Sequence, residues 1–258
     1  MTNRPTDFHL VGSSQCFPLY WYEDRRASGG NPKQAVLFGF EGCETVRHDG
    51  ISDWALAEAR KRYGQPVTKE DLFYYVYGYL HSPDYRRAFA DDLRLSLPRV
   101  GLVDRYEDFR AFSGAGRELA GLHTRYEEAP PYNDVTISGG ASVEDVLSRA
   151  DLHRVTKMRL YPDERRLVYN EFVEIRDIPE EAFGYVVNGR SALGWLVDQY
   201  QVTTDKESGI VNDPNGYAGG TYVLRLVLSV ITVSVETMRI VGGLPRLDFG
   251  GASEGEGE

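Results

Sequence analysis

Two polar segments in the second half of the chain carry side chains suited to hydrogen bonding with a nucleic acid. The first is the turn Asn188, Gly189, Arg190 and Ser191, which enters a predicted helix. Backbone N–H groups at such a turn, together with the Arg190 guanidinium, could meet a phosphate or a guanine edge. An ordinary turn with an N-cap accounts for Gly189 and Ser191 but leaves Asn188 and Arg190 unexplained. Both interpretations stay open.

The second segment is the loop from Thr203 to Asn215. Its Lys206, Asn212 and Asn215 are residue types that hydrogen-bond to bases or phosphates in protein–DNA complexes. The loop could equally serve to pin the helices on either side of it. The sequence does not separate these two interpretations.

Two basic pairs are further candidates for phosphate contacts. Arg86 and Arg87 follow Tyr85 on the side of a predicted helix that should be exposed. Lys157 and Arg159 alternate along a predicted strand and therefore share one face. Ordinary surface charge is the favoured explanation for the first pair, and a solvated sheet face for the second.

No catalytic motif accompanies these residues. The sequence has no GxxxxGK[ST] loop for nucleotide phosphates and no GxGxxG after a predicted strand. The tetrapeptide NDPN departs at Asp213 from the Asn-Pro-Pro-aromatic motif of methyltransferases and predicts a turn. The five histidines are scattered, and the adjacent Asp91 and Asp92 diverge on a helix. We therefore expect no catalytic residue, no metal and no cofactor in this chain.

The charge balance opposes phosphate binding by the chain as a whole. The formal net charge is −10, from 29 Lys and Arg against 39 Asp and Glu. Part of this excess lies in the acidic tail after Pro245, and basic residues cluster elsewhere, so one face can still be positive. The clusters are Arg60, Lys61, Arg62 and Arg154, Lys157, Arg159, Arg165, Arg166.

Cysteine usage and hydropathy favour a reduced, cytoplasmic setting. Cys16 and Cys43 have no CxxC partner, and no secretory signal is visible at the N-terminus. The apolar run from Tyr222 to Val241 carries a polar stripe at helical spacing, which predicts a mostly buried helix and no membrane association. The stripe consists of Arg225, Ser229, Thr232, Glu236 and Arg239.

The elements that must position these residues change from helical to extended after the prolines at 130 and 131. Helices are predicted after Ser52, from Thr68, from Ser82 and Pro83, and around Phe109 to Tyr126, the last interrupted by Gly114 and Gly116. Strands are predicted at 17–22, 35–40, 135–138, 155–161 and 166–176. Ser191 is expected to cap a short helix.

These elements predict an α+β fold in which a helical lobe packs against a β-rich recognition lobe, with a long buried C-terminal helix. The expected parts are an N-terminal β-hairpin segment (1–49), a helical lobe (50–131), a β-rich lobe with C-terminal helices (132–245) and a disordered acidic tail (246–258).

Several long blocks of the sequence, in a defined order, resemble one family. They are TKEDLFYYVYGYLHSPDYRRAFADDLRLSLPRV at 68–100, RELAGLHTRYE at 117–127, KMR at 157–159, and AFGYVVNGRSALGWLVDQYQVTTDKESGIVNDPN at 182–215. Together they resemble the C-terminal specificity region of type ISP restriction-modification enzymes, over somewhat more than half of the chain.

The resemblance implies a reader of double-stranded DNA sequence with no chemistry of its own. Its partners would be the methyltransferase and helicase/nuclease domains of the same system. The alternative is a protein-interaction coupler that docks the methyltransferase or motor domains without reading DNA, which the acidic balance and the amphipathic helices favour.

Overall fold

A computed structural model describes residues 16–25, 44–187 and 189–249 of the 258-residue chain. The chain divides into two compact units. One is Glu118–Leu244, and the other combines the described residues before Glu118 with those from Pro245 onward. Helices and small antiparallel sheets occur together, so the expected α+β class is confirmed.

The unit before Glu118 begins with an antiparallel hairpin and continues as helices. The hairpin strands β1 (Tyr20–Arg25) and β2 (Glu44–Asp49) pair with Tyr20 opposite Asp49. The strand expected at 35–40 lies outside the described residues. The helices are α1 (Asp53–Tyr63), α2 (Lys69–Tyr79), α3 (Pro83–Ala88), α4 (Asp92–Leu95) and α5 (Tyr106–Thr124), whose last residues belong to the other unit.

Local capping signals set the ends of these helices, as expected. The Ser52 hydroxyl accepts a hydrogen bond from the Ala55 N–H at 3.2 Å. Thr68 and Asp71 form a reciprocal capping box at the start of α2. Gly64 ends α1 at a φ of +61°, a left-handed conformation that glycine adopts without a Cβ clash.

The expected interruption of α5 at its glycines is wrong. Helix α5 runs unbroken from Tyr106 to Thr124, and Gly116 lies where the backbone of α5 approaches the backbone of α2 closely. A Cβ built on Gly116 would lie 1.8 Å from the Tyr74 carbonyl oxygen, and one on Gly78 would lie 2.2 Å from the Phe112 carbonyl oxygen. The absence of both side chains lets the two helix backbones touch, and this contact offsets the low helix propensity of glycine.

Aromatic side chains fill the core where α2, α3 and α5 meet. Tyr75, Tyr85, Phe109 and Phe112 are each at most 2% exposed, and the Tyr75 and Phe109 ring centroids are 5.0 Å apart. The buried Tyr75 hydroxyl donates to the Gly101 carbonyl at 2.6 Å, and burial raises its pKa. These four aromatic side chains therefore serve packing.

The described residues beyond Pro245 pack on the same unit. The Leu247 N–H donates to Asp84 at 3.1 Å, and the Phe249 ring lies 5.0 Å from that of Phe89. The remainder of the tail, for which disorder is expected, lies outside the described residues.

The unit Glu118–Leu244 contains a four-stranded antiparallel sheet in the order β3, β6, β5, β4. The strands are β3 (Thr136–Ile137), β4 (Arg159–Tyr161), β5 (Arg166–Val168) and β6 (Glu174–Arg176). The single strand expected at 166–176 is wrong, because Asn170 turns the chain back. Its side-chain oxygen accepts from the Phe172 and Val173 N–H groups at 2.9 and 2.8 Å, an Asx turn that competes with an extended backbone.

One short helix lies within the connections of the sheet, and further short elements lead from the sheet to the last helix. They are α6 (Val143–Ser148, between β3 and β4), α7 (Glu181–Gly184), β7 (Val186–Val187), β8 (Arg190–Ser191), α8 (Ala192–Gln199), β9 (Thr203–Thr204), β10 (Val211–Asn212), a 3-10 helix (Pro214–Gly220) and α9 (Tyr222–Gly242).

Helix α9 is the expected long buried helix, and it forms much of the core of this unit. Leu224, Val227 and Ile231 are fully buried. On the predicted polar stripe, the Ser229 and Thr232 hydroxyls donate to the Ala129 and Pro130 carbonyls at 2.7 and 2.8 Å. The hydroxyl groups of the stripe thus provide hydrogen-bond donors to the backbone carbonyls of Ala129 and Pro130, which explains why Ser and Thr occur there.

Candidate nucleic-acid interface

Most of the predicted contact residues lie in the unit Glu118–Leu244. They are Lys157, Arg159, Arg190, Ser191, Lys206, Asn212 and Asn215, while Arg86 and Arg87 belong to the other unit. Asn188 lies outside the described residues.

The turn before α8 is a tight hairpin. Val187 pairs with Arg190 across β7 and β8, and Gly189 takes a φ of +79°. The Ser191 hydroxyl accepts from the Gly194 N–H at 3.1 Å, so its oxygen caps α8 as expected. The Trp195 indole N–H donates to the Val187 carbonyl at 2.8 Å and ties the helix to the hairpin. The turn therefore presents the Arg190 side chain from a braced position.

Arg190 lies at the surface with its charge partly neutralised. Its guanidinium forms an ion pair with Asp198 and lies 5.5 Å from the centroid of the Trp195 ring. Half of the side chain remains exposed. A phosphate or a guanine edge would have to compete with Asp198 for the guanidinium. The sequence offered no signal for this pair, because a separation of eight residues across a turn into a helix is not a recognisable spacing.

Strands β9 and β10 form a second hairpin, Thr203–Asn212, in which Thr204 faces Val211 and Thr203 faces Asn212. Every residue from 203 to 213 is exposed. The Asp205 carboxylate holds the tip, since it accepts from the Ser208 N–H and hydroxyl, each at 2.7 Å. These bonds lower the pKa of Asp205. Lys206 lies at this tip and has no ion pair with any residue in the described ranges.

The base of the Thr203–Asn212 hairpin is tied to the segment that leads into β4. The Val202 N–H donates to the Thr156 carbonyl at 3.1 Å. The Asn215 side chain accepts from the Val155 N–H at 2.8 Å and donates to the Val155 carbonyl at 2.7 Å. These bonds hold Val155 and Thr156, which directly precede Lys157, against the base of the hairpin. They also use the Asn215 amide within the protein, which gives this residue a positioning role.

The two asparagines of this region therefore predict different mutational effects. Asn215→Ala leaves both backbone groups of the fully buried Val155 without their partner, which we expect to cost about 2 kcal/mol of unfolding free energy. Asn212→Ala removes an exposed side chain and should stay within about 0.5 kcal/mol. Urea unfolding of the two variants checks this. Equal stabilities would contradict the anchoring assigned to Asn215.

Lys157 and Arg159 flank the buried Met158 and are both exposed. Arg159 belongs to β4 and pairs with Val168, so the alternation predicted for this segment places both cations on the outer face. No described carboxylate forms an ion pair with either side chain.

Arg86 and Arg87 lie on the short helix α3. The Arg86 Nε donates to the Leu80 carbonyl at 2.9 Å, which uses part of its guanidinium at the end of the preceding helix. Arg87 is exposed and 3.7 Å from an Asp84 oxygen. Both cations remain at the surface of their unit, with local partners.

Histidines and carboxylates do not gather in the parts of the chain that the structure describes. His153 is buried with its Nε2 2.7 Å from the Val146 carbonyl, and burial lowers the pKa of His81 to about 4. Asp213, in the tetrapeptide NDPN, accepts from the Asn215 N–H at 2.9 Å and so forms the expected turn. Within the described ranges, no group of three or more His, Cys, Asp and Glu residues is placed to hold a metal ion. No helix among them is both long and apolar enough for a membrane span.

The exposed apolar side chains near the hairpins were not anticipated from the sequence. Ile210 is 68% exposed and Val211 58% exposed, and Tyr217 follows on the adjoining 3-10 helix with half its surface accessible. The sequence signal that could have indicated this exposure is the pair of aliphatic residues inside a Gly, Asn and Asp-rich loop, because side chains in such a turn are not expected to reach the core.

Solved structures of protein–DNA complexes are similar to this chain. The ATP-dependent type ISP restriction-modification enzyme LlaBIII bound to DNA matches over 90% of this chain with 34% identity and a TM-score of 0.70. A nuclease-deletion mutant of the type ISP enzyme LlaGI in complex with a DNA substrate mimic matches over 78% with 39% identity and a TM-score of 0.62. A DrdV–DNA complex matches over 79% with 30% identity and a TM-score of 0.64.

The chain spans 14%, 17% and 21% of these three proteins, respectively, so it corresponds to one part of each. No curated protein sequence matches it. The family model described as the type ISP C-terminal specificity domain matches residues 1–226, which is most of the chain. With this match and the structural similarity over both units, the chain belongs to the family of type ISP C-terminal specificity domains.

Proposed function

We propose that this chain recognises a specific sequence in double-stranded DNA for a type ISP-like restriction-modification system. In this proposal it directs methyltransferase and translocase or nuclease parts that lie outside the chain, and it carries out no reaction itself. The observation that carries the proposal is the family membership of a chain whose similar structures were solved with DNA.

The contact residues divide by the chemistry they offer. Lys157, Arg159 and Lys206 are exposed cations without a described ion-pair partner, which suits them to phosphates. Arg190 and Asn212 have planar groups that match guanine and adenine edges in the major groove. This division separates affinity, which the phosphate contacts supply, from selectivity, which the base contacts supply.

The remaining predicted residues have supporting parts in this proposal. Ser191 and Asn215 hold the two hairpins that carry the contacts, through the bonds described above. Arg86 and Arg87, which belong to the other unit, are assigned to phosphates, and Asn188 remains a predicted DNA contact.

Selection from a randomised duplex library by the full chain, at low and at moderate salt, tests the proposal. We expect retained duplexes to share a sequence and retention to fall steeply with salt. Retention without a shared sequence would contradict sequence reading. So would the absence of retention by this chain, if the complete system also selects no shared sequence.

The coupler function is the second candidate, and one observation favours it. Leu95 and Leu97 on the helical unit are 87% and 54% exposed, and large exposed apolar side chains in proximity are typical of protein contacts. A coupler would bind separately supplied methyltransferase or motor domains with no sequence-selective retention of DNA.

Arg190 provides a sharper test of base reading. Arg190→Ala should relax the preference at one base pair by about 1 to 3 kcal/mol, because one bidentate contact is lost. Asp198→Asn is the matched control, since it removes the competing carboxylate and keeps the guanidinium. We expect this control to keep the preference and bind somewhat more tightly. If Arg190→Ala weakens binding equally for all sequences, Arg190 contacts a phosphate.

A further inference from the structure

We propose that Ile210 reads thymine, by packing its side chain against the C5-methyl group in the major groove. The proposal rests on the proposed DNA-recognition function and names a residue and a readout that the polar candidates do not include. Four features of the Thr203–Asn212 hairpin carry it: its exposure, its bracing, the face on which Ile210 lies, and its dimensions.

The Ile210 side chain lies outside the buried core of the described residues. It is 68% exposed, on a segment in which every residue from 203 to 213 is exposed. Keeping an aliphatic side chain in water forgoes the stabilisation that burial would provide, so its position calls for a partner outside the unit.

The hairpin is braced in a way that an isolated two-stranded ribbon is not. At the tip, the Asp205 N–H donates to the Ile210 carbonyl at 2.9 Å, and the Asp205 carboxylate is turned onto the Ser208 N–H and hydroxyl. At the base, Val202 and Asn215 are tied to the segment at Val155 and Thr156. A braced element loses little conformational entropy when it binds.

The same face of the hairpin carries Ile210 and Asn212. The bond between Asp205 and Ile210 continues the register in which Thr203 faces Asn212 and Thr204 faces Val211. Because successive side chains alternate between the two faces of a strand, Ile210, Asn212 and Thr203 share one face, and Val211 and Thr204 share the other. Ile210 therefore stands beside the amide that suits adenine.

The dimensions of the hairpin match those of the major groove, which admits a two-stranded β-ribbon. Side chains two residues apart in a strand are separated by roughly 6.6 Å. Successive nucleotides of a strand are about 3.4 Å apart along the duplex axis. Ile210 and Asn212 thus reach bases up to two steps apart, where an aliphatic group meets a thymine methyl and an amide meets an adenine edge.

The charge of the hairpin suits selectivity more than general affinity. Lys206 is its one cation, next to Asp205 and Glu207. The Asp205 carboxylate faces the turn backbone. Beyond the single phosphate contact assigned to Lys206, a hairpin of this charge adds little phosphate attraction, and Lys157 and Arg159 supply the rest from the neighbouring segment.

The test uses the duplex selected from the randomised library and replaces each thymine in turn by deoxyuridine, which lacks only the C5-methyl group. We expect one replacement to weaken binding of the unaltered chain by about fourfold, the value of one buried methyl group. Ile210→Ala should bind the thymine and deoxyuridine duplexes equally. Val211→Ala is the matched control, because Val211 is the adjacent exposed aliphatic residue on the opposite face, and it should keep the fourfold ratio.

Three results would overturn the proposal. Selective binding that tolerates deoxyuridine at every position removes the thymine contact while the proposed function stands. A fourfold ratio retained by Ile210→Ala, even where the variant binds both duplexes more weakly by the same factor, assigns the methyl contact to another residue. No shared sequence in the selection removes the proposed function, and this inference with it.

Discussion

Replacing Lys157, Arg159 and Lys206 together by glutamine is expected to weaken binding to every duplex by on the order of a hundredfold or more. The three ammonium and guanidinium groups are exposed, and within the described ranges none is paired with a carboxylate. Each phosphate contact that is lost should lower the dependence of log affinity on log salt by about 0.9. The slope should therefore fall by about 2 to 3, whereas the preferred sequence should not change.

A matched triple variant distinguishes the effect of this local surface on DNA binding from the effect of the total charge. Arg149, Arg176 and Arg239 are exposed cations of the same unit, and their guanidiniums lie 2.8, 3.0 and 2.7 Å from carboxylate oxygens of Asp151, Glu174 and Glu236. Either triple change takes the net charge from −10 to −13, since three positive charges are removed. We expect the control triple to change the salt slope by less than 1. Equal effects of the two triples, measured by titration at several salt concentrations, would contradict the assignment of a phosphate-binding surface.

The largest effect on stability is expected from Gly116→Ala. The new Cβ would lie 1.8 Å from the Tyr74 carbonyl oxygen and 2.7 Å from the Gly78 nitrogen, and both of these atoms are backbone. No rotamer change relieves such a clash, so helices α2 and α5 must separate along the aromatic core that they share. Overpacking of this kind costs typically 1–3 kcal/mol and sometimes more, and we expect at least about 3 kcal/mol here.

Gly114→Ala is the matched control in the same helix. A Cβ at Gly114 meets no atom within 4 Å, and alanine in a helix interior is more favourable than glycine by roughly 0.5–1 kcal/mol. This variant should therefore melt at a higher temperature than the unaltered chain, and Gly116→Ala at a much lower one. A Gly116→Ala protein as stable as the unaltered chain would show that α2 and α5 do not meet backbone to backbone.

Local signals accounted for much of the fold. The caps at Ser52, Thr68, Ser82 and Ser191 act over three residues, so the sequence alone contains both partners of each interaction. The burial of α9 was equally predictable, because it follows from an apolar composition that extends over about six helical turns. These predictions needed no knowledge of what lies across the core.

Contacts that override residue propensity were not predictable from the sequence in the same way. The glycines of α5 predicted a break because glycine has a low helix propensity, yet the contact with Tyr74 lies 42 positions away. The strand predicted at 166–176 had suitable residue types throughout, and the Asn170 side chain decided where it turned. In both cases tertiary or side-chain contacts overrode propensity.

The candidate interface shows the same division. Residue types at Arg190, Lys206 and Asn212 were sufficient to predict candidate hydrogen-bonding groups, because hydrogen-bonding capacity is a property of the side chain itself. The commitment of the Asn215 amide to Val155 spans 60 positions, and no local pattern reports it. The ion pair of Arg190 with Asp198 and the exposure of Ile210 were likewise invisible.

The sequence by itself determined the family, the α+β class, the helix ends and the types of side chain available for recognition. Each of these depends on residue identity or on neighbours within a turn or two of chain. Only the tertiary structure decided which of those side chains are free to meet a partner, because a hydrogen-bonding group already used within the fold is unavailable to a ligand. That decision belongs to contacts such as those of Asn215 with Val155 and Gly116 with Tyr74, which exist only once distant segments have packed.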